Sequence, residues 1–130
     1  MEDNYKKVTT LDYIIIGLIQ EKPLTGYRIR KTFEDTALGN FGGSPGSIYP
    51  ALKRLTSNHL IEKEPISSSQ KFQFKITETG SHLLKKWLEK VPDNEEIRKG
   101  IDLLVLKFAF MDPLLNKEQK LAYLNVMKVK

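Results

Sequence analysis

The sequence contains no cysteine, which excludes disulfide bonds, thiolate nucleophiles and cysteine-ligated metal sites. It has only two histidines, His59 and His82, and their wide separation in the chain forms no metal-ligand spacing. We therefore predict no metal and no cofactor, and we interpret both histidines as polar residues at helix ends. The lack of cysteine also fits a reducing cytoplasm.

Long apolar runs are missing as well. The most hydrophobic stretch, residues 13–19, is far too short to span a bilayer, and no small-residue cleavage site follows it. We therefore expect a cytoplasmic protein with no membrane partner. The chain has 130 residues, a length that fits one domain or one domain with a short extension. With 40% hydrophobic and 28% charged residues, its composition is that of a globular rather than a disordered chain.

The sequence fits one catalytic motif, but without the structural context that the motif requires. Residues 42–46 read Gly-Gly-Ser-Pro-Gly, which fits the G-x-S-x-G nucleophile elbow of hydrolases. That elbow requires a preceding strand, a sheet of several strands, and later Asp and His residues. Here a predicted helix and loop precede the motif, and the chain is too short for that fold. We interpret the segment as a turn and a helix cap, and we predict that the protein is not an enzyme.

The charge balance is basic. The chain has 21 Lys and Arg against 16 Asp and Glu, a net charge of +5, and the pI is about 9.3. An excess of cations favours polyanionic partners such as nucleic acid or an anionic membrane surface. Many small soluble proteins are mildly basic, so the charge needs support from the pattern of residues.

Apolar residues at helical spacing predict two helices near the start of the chain. The first covers 10–20, with Thr10 as a candidate N-cap and Pro23 ending it. The second begins after Thr25, a candidate N-cap, and reaches about Thr36.

A third helix ends near His59, and its start is ambiguous. Ser44 and Pro45 resemble an N-cap and a first helical residue, but Pro50 would then lie inside the helix, where it removes a hydrogen bond. With Ser47 as the cap, Pro50 falls in the first turn, where its missing N–H is harmless. The sequence leaves both starts open. In either case the apolar stripe consists of Ile48, Ala51, Leu52 and Leu55.

After this helix the apolar period changes to two. Residues 60–66 are typical of a strand, and residues 67–70 are a polar turn. Residues 71–77 alternate, which predicts a hairpin with one buried face and one cationic face. The buried face would carry Phe72, Phe74 and Ile76, and the cationic face Lys71, Gln73 and Lys75.

Three more helices are predicted, over about 78–90, over about 94–111 and from 116 to the end. The middle one is apolar nearly all round, which indicates cover from a partner subunit. The predicted dimerisation residues are Ile101, Leu104, Phe108 and Leu124.

These elements predict a mainly α fold with a small β-hairpin (α+β). Residues 1–91 would form a winged helix–turn–helix domain and residues 92–130 C-terminal dimerisation helices. The third helix would enter the major groove of double-stranded DNA, and the hairpin would follow the backbone. The predicted DNA-binding residues are Ser44, Gly46, Ser47, Tyr49, Pro50, Lys53 and Arg54 on the helix, with Lys71 and Lys75 on the hairpin. Alternatively, Lys53 and Arg54 form a solvated face, and the hairpin lysines protect an edge strand.

Segments 24–35, with its Gly-Tyr pair, 44–64 and 71–80 are similar to the second helix, the recognition helix and the wing strands of PadR-family regulators. Segments 84–92 and 102–124 resemble the opening of the C-terminal domain of the longer members, so that the resemblance covers about 11–127. The resemblance implies a homodimeric transcriptional repressor whose C-terminal helices build the dimer. Some members of the family respond to phenolic acids or hydrophobic drugs. Two features depart from the family: Phe72 and Phe74 stand where Tyr is common, and the longer members continue past Lys130, so a truncated C-terminal domain is expected.

The function that we predict is that of a sequence-specific DNA-binding transcriptional regulator. It would be a ligand-responsive repressor, acting as a homodimer on a pseudo-palindromic operator, with a small aromatic or hydrophobic effector. The alternative is a winged-helix module for protein–protein interaction. Uncharged or acidic residues on the third helix would favour that alternative, and Lys53 and Arg54 count against it.

Overall fold

The computed structural model describes residues 8–36, 38–39, 44–67, 70–90, 106–107 and 109–110. Its elements are α1 (Thr10–Glu21), α2 (Gly26–Asp35), α3 (Pro45–Ser57), β1 (Ile61–Pro65), β2 (Phe72–Ile76) and α4 (Glu78–Glu89). This order confirms the predicted α+β class. The chain divides into two compact units, Met1–His82 and Leu83–Lys130. The predicted domain boundary after residue 91 stays a prediction. No helix in these described ranges is long and apolar enough to cross a membrane.

Helix α1 begins with a capping box. The Thr9 hydroxyl accepts a hydrogen bond from the Asp12 amide at 3.1 Å, and the Thr9 amide donates to Asp12 Oδ2 at 3.1 Å. The predicted cap, Thr10, is therefore wrong by one residue. Both threonines suit an N-cap, and an acid three residues after Thr9 decides between them because it pairs with the cap's own amide.

Helix α2 is capped as predicted, since the Thr25 hydroxyl accepts from the Arg28 amide at 3.0 Å. Helix α3 takes the earlier of its two possible starts, with Ser44 as N-cap and Pro45 as first residue, so that Pro50 lies inside the helix. Pro50 has no N–H to donate to the carbonyl of Gly46. Both residues are exposed, so water can satisfy that carbonyl and the helix tolerates the proline.

The core of the unit Met1–His82 lies where the helix stripes meet the hairpin. Its α3 members are the predicted ones, at most 3% exposed. Contacts of α3 with α1, α2 and β1, and of α1 with β2, bring the stripes together. The buried apolar residues are Ile14, Ile15, Ile16, Ile19, Ile29, Phe33, Ile48, Ala51, Leu52, Leu55, Leu60, Ile61 and Phe74.

The hairpin is antiparallel, with Ile61 opposite Ile76 and Pro65 opposite Phe72. A residue before α2 extends it: the Leu24 amide donates to the Phe74 carbonyl at 3.0 Å, and the Phe74 amide donates to Leu24 at 2.7 Å. Strand β2 is therefore paired on both sides, which fixes the wing to the start of α2.

The predicted faces of the hairpin are partly wrong. Phe74 is buried, but Phe72 is 42% exposed. The opposite face is charge-balanced rather than cationic, because the register places Glu62 opposite Lys75 and Glu64 opposite Gln73. Lys75 Nζ lies 3.4 Å from a Glu62 oxygen and 3.8 Å from a Glu64 oxygen.

In the unit Leu83–Lys130, Leu84 and Leu88 of α4 are buried. Residues 106–107 and 109–110 are helical, in agreement with the predicted fifth helix. Lys107 is buried, and its Nζ lies 4.6 Å from the centroid of the Trp87 ring. All four predicted dimerisation residues, Ile101, Leu104, Phe108 and Leu124, lie outside the described residues.

Candidate nucleic-acid interface

Helix α3 has two chemically different sides. Its apolar stripe is buried, and the seven residues predicted to bind DNA are exposed. Near the start of the helix, the hydroxyls of Ser44 and Ser47 are 3.3 Å apart. Tyr49 follows, 45% exposed, and Lys53 lies one turn further on. The fold thus gathers these residues on one accessible surface.

An open groove of about 880 Å³ lies beside this surface, between the start of α2, α3 and the hairpin. Its cations are Lys53, Lys63 and Lys71, and none of the described residues that line it is acidic. The full lining is Thr25, Gly26, Tyr27, Tyr49, Leu52, Lys53, Thr56, Ser57, Lys63, Gln70, Lys71, Phe72 and Phe74. Apolar walls with a cationic rim suit an anionic partner that also has apolar surface.

Lys63 belongs to this groove because of the strand register. It lies opposite Phe74, on the groove face, and its Nζ is 4.5 Å from the centroid of the Phe72 ring. That ring packs edge-on against Phe74, with centroids 5.6 Å apart. Lys63 and Tyr27 of this groove were not among the residues predicted from the sequence. Lys63 lies two residues after the buried Ile61, and alternate residues of a strand point to the same side. That spacing could have placed Lys63 on this face from the sequence.

The two hairpin lysines predicted to contact DNA are separated by the fold. Lys71 lines the groove. Lys75 lies on the other face of the hairpin, between Glu62 and Glu64.

The other cation of α3 has a partner on α1. Arg54 donates from Nη2 to Asp12 Oδ1 at 2.5 Å and from Nε to Asp12 Oδ2 at 3.3 Å. The Asp12 side chain is 1% exposed and that of Arg54 is 41% exposed. Arg54 therefore reaches the surface while one edge of its guanidinium is held from inside.

Beyond the groove, two basic residues of α2 lie close to acids of the same helix. Arg30 lies 3.5 Å from Glu34, and Lys31 lies 3.4 Å from Glu34 and 3.7 Å from Asp35. The Asp35 carboxylate, followed by that of Glu34, raises the pKa of Lys31 above its ordinary value. The Arg30 guanidinium also lies 5.4 Å from the centroid of the exposed Tyr27 ring. Two of the three basic residues of α2 thus lie close to acids, whereas the described residues that line the groove include lysines and no acid.

Comparison with known proteins gives a consistent family. Residues 15–86 match the model of the "Transcriptional regulator PadR-like family". The chain is 33% identical over 112 residues to the negative transcriptional regulator PadR of Bacillus subtilis, covering 83% of this chain and 60% of that protein. It is 33% identical over 86 residues to the transcriptional regulator YqjI of Escherichia coli, covering 66% of this chain and 41% of that protein. The chain thus spans about half the length of these relatives.

Solved structures show the same fold. The crystal structure of Bacillus subtilis PadR in complex with operator DNA matches at a TM-score of 0.53 and 27% identity, over 78% of this chain and 69% of the other. The same protein in complex with p-coumaric acid matches at 0.54 and 27%, over 99% and 67%. The PadR-like regulator BC1756 of Bacillus cereus matches at 0.59, over 98% and 91%, and at 19% identity it supports the fold alone.

Proposed function

This chain belongs to the PadR-like family of transcriptional regulators, and we propose that it binds double-stranded DNA through α3 and the groove beside it. The observation that carries the proposal is the groove: among the described residues, its apolar walls next to the exposed side of α3 carry three lysines and no acid. Duplex DNA carries one negative charge per ~1.7 Å of its axis, and such a surface attracts it.

The two parts of this surface take different roles. The exposed side of α3, from Ser44 to Arg54, lies in the major groove, where Ser47, Tyr49 and Lys53 reach base edges and phosphates. Gly46, on the same side, lets the backbone approach closely. The groove takes the sugar–phosphate strand, with Lys63 and Lys71 near phosphates. The relative crystallised with operator DNA has this fold at 27% identity, which supports the assignment.

Membership of the PadR-like family also supports more detailed proposals about how the protein acts. We propose a repressor that acts as a homodimer on a pseudo-palindromic operator and that responds to a small aromatic or hydrophobic effector. The relative's complex with p-coumaric acid supports an aromatic effector. A regulator of bacterial operators acts in the cytoplasm, where the chromosome lies, and we place this chain there.

The test is a gel shift with the DNA upstream of the protein's own gene, at several salt concentrations, with and without p-coumaric acid. Steeply salt-dependent binding is expected for a protein that neutralises phosphates. The second candidate function, a protein–protein interaction module, is favoured by the exposed rings of Tyr27, Tyr49 and Phe72. Such a module would leave DNA unshifted at all salt concentrations.

We expect Lys53→Ala to weaken operator binding by about 1–3 kcal/mol without a change in thermal stability, because Lys53 is exposed on α3. Titration of labelled operator by fluorescence anisotropy measures the loss. Lys22→Ala is the matched control, since Lys22 is an exposed lysine after the end of α1, outside the groove. Equal binding by the Lys53 variant and its parent would contradict the assignment of α3.

The three hairpin lysines should differ in their salt dependence. Lys63→Ala and Lys71→Ala should each lower the slope of log affinity against log salt by about one unit and weaken binding equally on all sequences. Lys75→Ala removes the same charge from the same hairpin, but Glu62 and Glu64 already balance it, so a smaller change is expected. Anisotropy titrations at four salt concentrations measure the slopes. Three unchanged slopes would show that the wing does not contact DNA.

We further propose that the helix predicted over 94–111 holds a homodimer through residues such as Leu104 and Phe108. A helix that is apolar nearly all round needs cover, and each large side chain left in water forfeits about 1.5–3 kcal/mol. A two-fold axis lets the same patch meet itself and places two copies of α3 about one DNA turn apart. Sedimentation at micromolar concentration tests this. A monomer, with Leu104→Asp and Phe108→Asp causing no change, would contradict both the dimer and the palindrome.

A further inference from the structure

Asp12 is the one buried acid among the residues that the structure describes, at 1% exposure. Its two carboxylate oxygens accept three hydrogen bonds. Oδ2 accepts from the Thr9 amide at 3.1 Å and from Arg54 Nε at 3.3 Å, and Oδ1 accepts from Arg54 Nη2 at 2.5 Å. A buried carboxylate is tolerated when both oxygens are satisfied in this way.

The orientation of this carboxylate does not depend on Arg54 alone. Asp12 completes the capping box of α1, so its side chain is oriented by the backbone of its own helix. Arg54 comes from α3, 42 residues later in the chain. The bidentate pair therefore joins the start of α1 to α3 with a defined geometry, since a planar guanidinium on a carboxylate tolerates little rotation.

The apolar stripe of α3 supplies most of its attachment but less of its orientation. Ile48, Leu52 and Leu55 hold the helix through buried apolar surface. This hydrophobic stabilisation has no preferred direction, so it resists small rotations and axial shifts of the helix less than a directional contact does. The ion pair is directional. It also holds the Arg54 side chain towards α1, whereas Lys53, its neighbour on α3, lies in the groove.

We infer that Asp12 and Arg54 act as positioning residues for DNA recognition: the pair sets the orientation of α3 on α1, and Arg54 serves through Asp12 rather than by reading a base. This inference rests on the proposed DNA-binding function. It assigns a role to Asp12, a residue that has no access to DNA, and it changes the role expected of Arg54 from its exposed position alone.

The test is a double-mutant cycle in operator affinity with Asp12→Asn, Arg54→Gln and the double variant. Each single variant should weaken operator binding about tenfold, and the double variant should bind no more weakly than the weaker single one, because both remove the same contact. The loss should be spread over all operator positions, and the salt slope should stay that of the parent. Affinity is measured below the unfolding transition of every variant, with circular dichroism confirming the fold.

The matched control is Glu21→Gln, which neutralises an exposed acid on the same helix and so changes the net charge equally. It should bind as the parent does. If Asp12→Asn does not fold, Asp12→Glu keeps the charge on a longer arm and should bind between the parent and Arg54→Gln.

Three results would overturn the inference: parental binding by the Asp12 variant, loss of preference at a single base pair in Arg54→Gln, or a fall of about one unit in its salt slope. The last two would show a direct DNA contact by Arg54. A parent chain that binds no duplex DNA would instead overturn the proposed function.

Discussion

Replacing Gly80 with alanine should destabilise the protein by about 3 kcal/mol. A Cβ at this position would lie 2.1 Å from the carbonyl oxygen of Leu60 and 3.0 Å from its carbonyl carbon. That carbonyl is backbone and cannot rotate away, because it accepts hydrogen bonds from the Thr77 amide at 3.2 Å and the Thr77 hydroxyl at 3.1 Å. The start of α4 would therefore have to move off the chain segment that leads into β1.

The opposing effect is smaller. Alanine favours a helix over glycine by about 1 kcal/mol, so the clash decides the sign. Urea unfolding followed by circular dichroism measures the change. Gly46→Ala is the matched control: Gly46 is exposed in α3, and its Cβ would meet only Ser44 Oγ at 3.8 Å. It should stabilise the fold by about 0.5–1 kcal/mol. A Gly80→Ala variant that is as stable as the parent, or more stable, would contradict the packing of α4 on Leu60.

Helices α1 to α4 and the hairpin could be predicted from the sequence because their signals are local. The stripe of Ile48, Leu52 and Leu55 repeats with the helical period, and the structure buries each of them. The start of α3 could not be settled, because an internal Pro50 leaves the carbonyl four residues earlier without its helical donor, and the sequence does not show whether water reaches that carbonyl. In the fold that carbonyl belongs to the exposed Gly46.

The candidate site was predicted less completely, because two of its features depend on strand register. The alternation along β2 predicts that Lys71 and Lys75 lie on the same face, but it does not predict which residues of β1 lie opposite them. The observed register places Glu62 opposite Lys75 and Lys63 opposite Phe74. One predicted cation is therefore balanced, and an unpredicted one lines the groove.

The pairing of Asp12 with Arg54 leaves no trace in either local pattern. Asp12 is an acid in the first turn of a helix, which the helix dipole explains by itself. Arg54 lies beside Lys53 on the exposed side of α3, where a solvated cation is ordinary. Only the packing of α1 against α3 brings the two side chains together.

Replacing Arg54 with leucine should lower the free energy of unfolding by about 2 kcal/mol, because the buried Asp12 carboxylate loses its charged partner. Breaking a fully buried ion pair from one side costs about 3–5 kcal/mol, because a charge is left without a partner. The cost is smaller here because the Arg54 side chain is 41% exposed, so water can reach the position it leaves, and because the Thr9 amide still donates to Asp12. Asp12→Asn should cost less, about 1 kcal/mol, because Arg54 can turn its guanidinium to water and the asparagine oxygen can still accept a hydrogen bond.

This asymmetry distinguishes a buried carboxylate that needs its partner from a surface ion pair, in which both truncations cost little. The strongest test of this asymmetry is the double variant with Asp12→Asn and Arg54→Leu. It removes the unpaired charge, so it should be more stable than Arg54→Leu alone. Urea unfolding of the four proteins at low and high salt gives the free energies, and the difference should persist in salt because burial limits screening. A double variant less stable than Arg54→Leu would mean that Asp12 contributes through its cap on α1 and not through Arg54.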